Sequence, residues 1–209
     1  YVRINGTGTP WFERDLEVVG LPGVLGVVLP KAEQPEQVVQ VAACLTGEAL
    51  VLPLLETALG VWNAHALAQA PGVERLAFGT IDFQLDTGIT GDQEELLYAR
   101  SHLVLASRIS GLLPPVDGVT IALDDLTRLR DDVERARRLG FGGKLCIQPR
   151  QVETINRGFA PTEAEQAWAR RVLEAAEATG AGAFRLDGQL IDRPVIARAR
   201  SILAQADAP

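Results

Sequence analysis

The sequence contains no methionine, only two histidines and two cysteines, and 5% aromatic residues. Cys44 and Cys146 lie outside any CxxC or Cys/His cluster, which excludes a zinc pattern and a disulfide framework, so we expect two buried free thiols. No apolar run approaches the roughly 20 residues that cross a bilayer. The N-terminus also lacks the basic and then apolar layout of a signal peptide. These absences predict a cytoplasmic protein that does not interact with membranes.

Acidic residues outnumber basic ones, with 27 Asp and Glu residues against 20 Lys and Arg residues, and the formal net charge is -7. The basic residues are scattered among acidic ones and form no stripe, which disfavours nucleic acid as a partner. Net negative charge does not exclude an anionic substrate, because a few Arg or Lys side chains at one site dominate the potential at short range.

Six short apolar runs alternate with segments of helical periodicity, a pattern typical of βα units and a parallel sheet. The sequence is 47% hydrophobic over 209 residues, which is enough for one large core. Six parallel strands fit an open doubly wound sheet or a (β/α)8 barrel that lacks two units, and the pattern alone leaves both open. The predicted strands are residues 1–4, 24–29, 50–55, 75–78, 116–121 and 144–147.

Two helices between the predicted strands have readable ends. Pro35 can occupy the first turn of a helix, and Gly47 can end it. A second helix is predicted over residues 124–139, because apolar residues recur there at helical spacing and Gly140 follows as a stop. Its outer face is rich in Arg and Asp, which indicates a solvated surface.

The pattern changes in the C-terminal quarter of the chain. A T-x-x-E capping box at Thr162 predicts a helix that extends to about residue 180. The Asp187-Gly188 dipeptide between two short apolar runs predicts a β-hairpin with a two-residue turn, and Pro194 begins a last helix. We therefore expect a catalytic domain over residues 1–155 and a C-terminal helical and hairpin extension over residues 156–209.

Acidic side chains follow two neighbouring predicted strands. Glu56 ends the third strand and Asp82 comes just after the fourth, so both are expected at the same edge of the sheet. Two hard oxygen ligands with room for water and substrate oxygens suit Mg²⁺. The alternative is that both acids only interact with the positive ends of the helices that follow.

Basic side chains also stand at predicted strand ends. Arg3 ends the first strand, and it either neutralises a nearby carboxylate or binds an anionic ligand. Lys31 follows the second strand, and Glu33 two residues later is its expected partner. Asp117 lies near the start of the fifth predicted strand, which favours a structural role.

Several of these segments resemble citrate lyase beta-subunit-like proteins of the HpcH/HpaI aldolase superfamily. The likeness covers nearly the whole chain and occurs in the same order along it. It includes Val2-Arg3-Ile4-Asn5, Leu29-Pro30-Lys31-Ala32-Glu33, Leu55-Glu56-Thr57, Phe78-Gly79, Pro115-Val116-Asp117-Gly118 and Pro149-Arg150-Gln151-Val152.

The resemblance implies a (β/α)8 TIM barrel whose first two βα units precede the strand of Arg3. We expect those units to be missing from this sequence, which would account for six strands, and the absence of an initiator methionine agrees with that expectation. The resemblance also implies a homotrimer or homohexamer, in which the C-terminal extension packs on a neighbouring subunit.

The resemblance further implies roles for individual residues. Glu56 and Asp82 would be the Mg²⁺ ligands, with Glu56 also binding substrate. Arg3 would bind substrate and stabilise its carbonyl or enolate oxygen. Asp192 matches an acid that reaches the neighbouring subunit's active site as a proton carrier, although an Asp beside Pro194 also fits a helix cap. Gln148 stands where many relatives have histidine, and glutamine cannot carry a proton.

The expected function is a Mg²⁺-dependent carbon–carbon lyase. Its substrate would be an acyl-CoA or acyl-carrier thioester of a hydroxy acid, such as citryl-, malyl- or citramalyl-CoA. Its products would be acetyl-CoA and a 2-keto acid. The alternatives are a class II pyruvate aldolase that acts on free acids, and a citrate lyase beta subunit that is inactive without its carrier.

Overall fold

The computed structural model describes residues 1–45, 50–180 and 182–206. The chain divides into two compact units, Tyr1–Ile155 and Asn156–Pro209. Among the described residues, no helix combines the length and apolar character that a membrane crossing requires.

The first unit contains a six-stranded parallel sheet in which every strand pairs with the next one along the chain. A doubly wound sheet would reverse its direction of strand addition at a switch point. The sequential order is instead that of a curled, barrel-like sheet, which confirms the α/β prediction and excludes the doubly wound alternative. The strands are β1 (Val2–Arg3), β2 (Gly26–Leu29), β3 (Leu50–Leu55), β4 (Ala77–Phe78), β5 (Val116–Asp117) and β6 (Gly143–Lys144).

Helices fill the connections between the strands and bury their apolar faces against the sheet, and one further helix follows β6. The strand residues Val27, Leu29, Leu55 and Phe78 are fully buried at the centre of this core. The helices are α1 (Phe12–Asp15), α2 (Pro35–Ala42), α3 (Ala58–Trp62), α4 (Ala64–Ala68), α5 (Thr80–Thr87), α6 (Leu97–Ile109), α7 (Leu126–Leu139) and α8 (Val152–Phe159), with 3₁₀ turns at Leu16–Gly20, Glu94–Leu96 and Pro149–Gln151.

The predicted helix ends are present where the structure describes them. Pro35 is the first residue of α2, whereas Gly47, the predicted end of that helix, lies outside the described residues. The α7 helix begins after Asp125, whose side chain accepts a hydrogen bond from Arg128 N. It ends at Gly140, which has a left-handed φ of 99°.

Five of the six strands are shorter than predicted, and β5 and β6 lose the most residues at their carboxyl ends. Residues 118–121 and 145–147 lie outside the strands, and the Gln151 side chain bonds one backbone group in each segment. Its Nε2 donates to Thr120 O at 3.1 Å and its Oε1 accepts from Ile147 N at 3.0 Å. Cys44 and Cys146 are free but exposed, so their predicted burial was wrong. Cys44 follows the end of α2 and Cys146 lies in the loop after β6.

The second unit contains two helices and a hairpin. Thr162 and Glu165 form the predicted capping box at the start of α9 (Glu163–Thr179). The hairpin of β7 (Phe184–Leu186) and β8 (Gln189–Ile191) is also confirmed, and its turn residues Asp187 and Gly188 have φ values of 51° and 80°. α10 (Arg193–Ala206) follows. A small apolar core holds these elements together, formed by Ala169, Val172, Ile191, Ala199 and Ile202.

Candidate metal and substrate site

Three of the four predicted site residues line one cavity at the carboxyl ends of the strands. Arg3 comes from β1, Glu56 follows β3, and Asp82 lies in the first turn of α5 after β4. The cavity has a volume of about 180 Å³. Its remaining walls are mainly apolar, formed by Leu54, Phe78, Gly79, Thr80, Ile81, Val119 and Leu145.

Glu56 is the buried member of this group, with 2% of its surface exposed. Burial raises the pKa of its carboxyl group above the ordinary value, and the negative charge of Asp82 raises the pKa further. The positive charge of Arg3 and the backbone N–H of Lys31 act in the opposite direction. That N–H donates to Glu56 Oε1 at 3.0 Å. The site therefore contains two mutually repelling carboxylates, an arrangement that a cation stabilises.

Lys31 contacts both carboxylates and was predicted to pair with Glu33 instead. Its Nζ lies 4.0 Å from Asp82 Oδ1. The backbone N–H of Glu33 donates to Gln37 Oε1, which ties that residue to the first turn of α2. The predicted local pair was wrong because the chain turns sharply at Lys31, whose φ is 50°.

Gly79 provides the space in which the Glu56 side chain lies. A β-carbon on Gly79 would overlap Cβ of Glu56 and lie 2.7 Å from its Oε2. Gly79 belongs to one of the motifs that resemble the family, but no role for it was predicted from the sequence. Its position between a buried strand and a helix was the available signal, since a glycine there often permits close backbone approach.

Arg100, Asp117 and Lys144 form a buried cluster of charged side chains. Asp117 is fully buried and accepts from Arg100 Nε at 2.9 Å, and Lys144 Nζ lies 3.7 Å from its other oxygen. Burial lowers the pKa of Lys144, and Asp117 partly offsets that effect. The structure thus supports a structural role for Asp117. Arg100 was missed, because helical periodicity does not reveal which polar residue of α6 points inward.

A larger cavity of about 410 Å³ adjoins the cluster and shares Thr80, Ile81 and Val119 with the smaller one. Its arginines are paired with acids: Arg128 and Arg135 both contact Asp132. The charges of this cavity are therefore largely compensated.

Asp192, the fourth predicted residue, belongs to the second unit. Its Oδ1 accepts from Val195 N at 3.3 Å and its backbone oxygen accepts from Ile196 N at 2.9 Å. The structure thus shows the helix-cap arrangement that was the alternative for this residue. No group of three or more His, Cys, Asp or Glu side chains in the described parts of the chain is arranged to hold a metal ion. A metal at Glu56 and Asp82 would need water or substrate oxygens to complete its coordination.

Comparison with known protein families assigns this arrangement to one of them. Residues 1–149 match the HpcH/HpaI aldolase/citrate lyase family. The chain is 43% identical over 212 residues to a citrate lyase subunit beta-like protein of Deinococcus radiodurans, covering 98% of this chain and 74% of that protein. It is 34% identical to a (3S)-malyl-CoA thioesterase of Cereibacter sphaeroides, and the match covers 99% of this chain and 74% of that protein.

A solved structure shows the same fold. It is the CitE protein of Mycobacterium tuberculosis in complex with magnesium, acetoacetate and coenzyme A, with a TM-score of 0.86 and 32% sequence identity. The superposition covers 99% of this chain and 78% of that protein.

Proposed function

The chain belongs to the HpcH/HpaI aldolase/citrate lyase family, and we propose that it is a Mg²⁺-dependent carbon–carbon lyase. It would cleave the CoA or acyl-carrier thioester of a hydroxy acid, of the citryl, malyl or citramalyl type, to acetyl-CoA and a 2-keto acid. The observation that carries this proposal is the placement of Glu56 and Asp82 around one cavity with Arg3.

The residues at this site fit Mg²⁺. Both Glu56 and Asp82 present hard oxygen ligands, and the ion usually binds to one or two carboxylates together with water and substrate oxygens. Burial and then repulsion from Asp82 raise the pKa of Glu56, and a divalent cation would relieve the repulsion between the two carboxylates. The relative from Mycobacterium tuberculosis was crystallised with magnesium, which supports the same choice here.

Glu56 and Asp82 would hold the ion at the mouth of the cavity. When bound, Mg²⁺ would supply Lewis-acid chemistry, polarising the hydroxyl and carboxylate oxygens of the substrate. The carboxylates of Glu56 and Asp82 would also orient the hydroxyl-bearing carbon, because they fix the side of the cavity on which it binds.

Arg3 would bind the thioester carbonyl oxygen. During cleavage the hydroxyl group loses its proton, the bond between the hydroxyl-bearing carbon and the α-carbon of the thioester breaks, and the electron pair moves onto the thioester as an enolate. The Arg3 guanidinium would stabilise the negative enolate oxygen. Apolar walls such as Leu54 and Phe78 would keep water from the enolate. Asp192 of a neighbouring subunit would accept the hydroxyl proton as cleavage begins and then donate it to the α-carbon of the enolate, which completes acetyl-CoA.

The proposal also covers the complete barrel and its oligomeric assembly. We propose that β1 to β6 form a contiguous arc of an eight-stranded barrel and that the second unit packs on a neighbouring subunit in a trimer or hexamer. The sequential strand order supports the first part. The resemblance of the C-terminal extension to that of CoA-using relatives supports the second.

A thioesterase is the second candidate reaction, because the Cereibacter sphaeroides relative carries that name. Hydrolysis would release CoA and leave the hydroxy acid intact, whereas lyase cleavage would release acetyl-CoA and a 2-keto acid. The products therefore separate the two reactions.

The experiment measures product release from citryl-, malyl- and citramalyl-CoA with Mg²⁺ and with EDTA. We expect Mg²⁺-dependent acetyl-CoA and 2-keto acid from the wild type and a loss of at least 100-fold in Glu56→Ala. Glu134→Ala, which removes an exposed carboxylate from α7, should keep full activity. Cleavage only of free hydroxy-keto acids would favour the aldolase, and cleavage only of a carrier-bound thioester would favour the carrier-dependent subunit.

A further inference from the structure

Lys31 occupies a backbone position that the surrounding loop enforces. It is one of two described non-glycine residues with positive φ. The two residues that follow Lys31 are held by neighbouring elements: Ala32 N donates to Leu54 O at 3.3 Å, and Asn63 Nδ2 donates to Glu33 O at 2.8 Å. A lysine in this conformation is strained, since non-glycine residues rarely adopt it without a compensating interaction.

The conformation brings two donors of one residue to two different carboxylates. The Lys31 backbone N–H points to Glu56, and its ammonium group points to Asp82. Glu56 and Asp82 are the two residues at this site suited to holding a divalent cation. The ammonium group therefore places a positive charge beside the position that the ion would occupy.

We infer that Lys31 is a positioning residue that organises the two carboxylates before Mg²⁺ binds, its amide fixing Glu56 and its ammonium competing with the ion for Asp82. The inference rests on the proposed function. The amide contact can persist when the ion binds, because it uses only one oxygen of Glu56. The ammonium contact must weaken, because two cations cannot share Asp82 without repulsion.

A simple surface ion pair is the competing explanation. Lys31 and Asp82 are 64% and 48% exposed, and such pairs contribute little to stability. The two explanations differ in their effect on metal affinity. A surface pair predicts no change when the ammonium is removed, whereas a competing cation predicts tighter Mg²⁺ binding.

The test is the dissociation constant of Mg²⁺ without substrate, measured by calorimetry on the full chain. We expect Lys31→Met to bind Mg²⁺ about tenfold more tightly, the scale set by removing a unit charge about 4 Å from the ligand. Lys31→Arg keeps the charge and should stay within about threefold of wild type. Lys31→Gly keeps the backbone N–H, suits the positive φ and should match Lys31→Met even if the latter folds poorly.

Unchanged or weaker Mg²⁺ binding in Lys31→Met and Lys31→Gly would overturn the inference. If the wild type binds Mg²⁺ and Glu56→Gln does not, that result would leave the proposed metal site intact. A wild type that binds no Mg²⁺ would overturn both the inference and the metal part of the proposed function.

Discussion

The Glu56 side chain lies directly against the backbone of Gly79, so closely that a β-carbon on Gly79 would approach Glu56 Oε2 to 2.7 Å. Gly79 lies between β4 and α5, and Glu56 follows β3. The contact therefore joins the two strand ends that carry the candidate metal ligands. Because Gly79 has no β-carbon, the Glu56 side chain can occupy the space beside it.

Gly79→Ala should displace the Glu56 carboxylate. The added methyl group meets the side chain close to its own backbone, where it has little freedom to move, so we expect a loss of about 1–3 kcal/mol in the free energy of unfolding. Mg²⁺ binding should weaken about tenfold or more. Chemical denaturation and calorimetry would measure the two effects.

Gly8→Ala is the matched control, because no atom lies within 4 Å of a β-carbon at Gly8. It should change neither quantity by a measurable amount. Normal Mg²⁺ affinity in Gly79→Ala would show that the Glu56 position does not depend on this contact.

Glu56→Gln should stabilise the metal-free protein at neutral pH. Burial first and Asp82 second raise the pKa of Glu56, so its charged form costs stability in the folded state. The folded state binds more protons than the unfolded state between the ordinary and the raised pKa, and wild-type stability therefore falls as pH rises through the raised pKa. The glutamine variant lacks this loss and should be more stable by ~1 kcal/mol.

The advantage of Glu56→Gln should shrink as pH is lowered from the raised pKa to the ordinary value, below which the wild-type carboxyl is neutral in both the folded and the unfolded state. Saturating Mg²⁺ should reverse the order at neutral pH, because only the wild type gains binding energy. Thermal denaturation against pH, with and without Mg²⁺, measures both effects. A less stable glutamine variant in EDTA at pH 7 would contradict this account.

Asp117→Asn should destabilise the fold by about 3–5 kcal/mol, because it leaves Arg100 and Lys144 buried without a compensating charge. Glu134→Gln breaks an ion pair with Arg138 in which both side chains are about two-thirds exposed, and should cost less than about 0.5 kcal/mol. Equal losses in the two variants, measured by chemical denaturation, would show that the Asp117 cluster contributes no more than a surface pair.

The sequence predicted the six strands and three of the cavity residues because both depend on local pattern. Apolar runs mark buried strands, and Arg3, Glu56 and Asp82 each stand at or just after the end of such a run. The carboxyl ends of parallel strands meet at one edge, so local pattern was sufficient to bring these three residues together.

Local pattern failed where a distant side chain determined the structure. The Gln151 amide lies near β6 in sequence but bonds to Thr120 O, 31 positions away, and so links the segments that follow β5 and β6. Lys31 was paired with its neighbour Glu33, because sequence distance gave no reason to consider Asp82, which lies 51 positions away. The loop geometry around Lys31 makes that pairing possible.

Asp192→Asn separates the two interpretations of the fourth predicted residue. Asparagine is as good a helix cap as aspartate, so it should preserve the contact with Val195 N and leave the melting temperature of the protein unchanged. It cannot carry a proton. If Asp192 is the proton carrier of the proposed reaction, kcat should fall by about 100-fold or more, while KM and Mg²⁺ affinity stay near wild type.

Asp192→Ala should lose both the cap, at a cost of about 1 kcal/mol, and the activity. Asp187→Asn, in the turn of the preceding hairpin, is a control that should keep wild-type activity, because asparagine tolerates the positive φ of this position. Full activity in Asp192→Asn together with reduced stability in Asp192→Ala would limit this residue to the cap of α10.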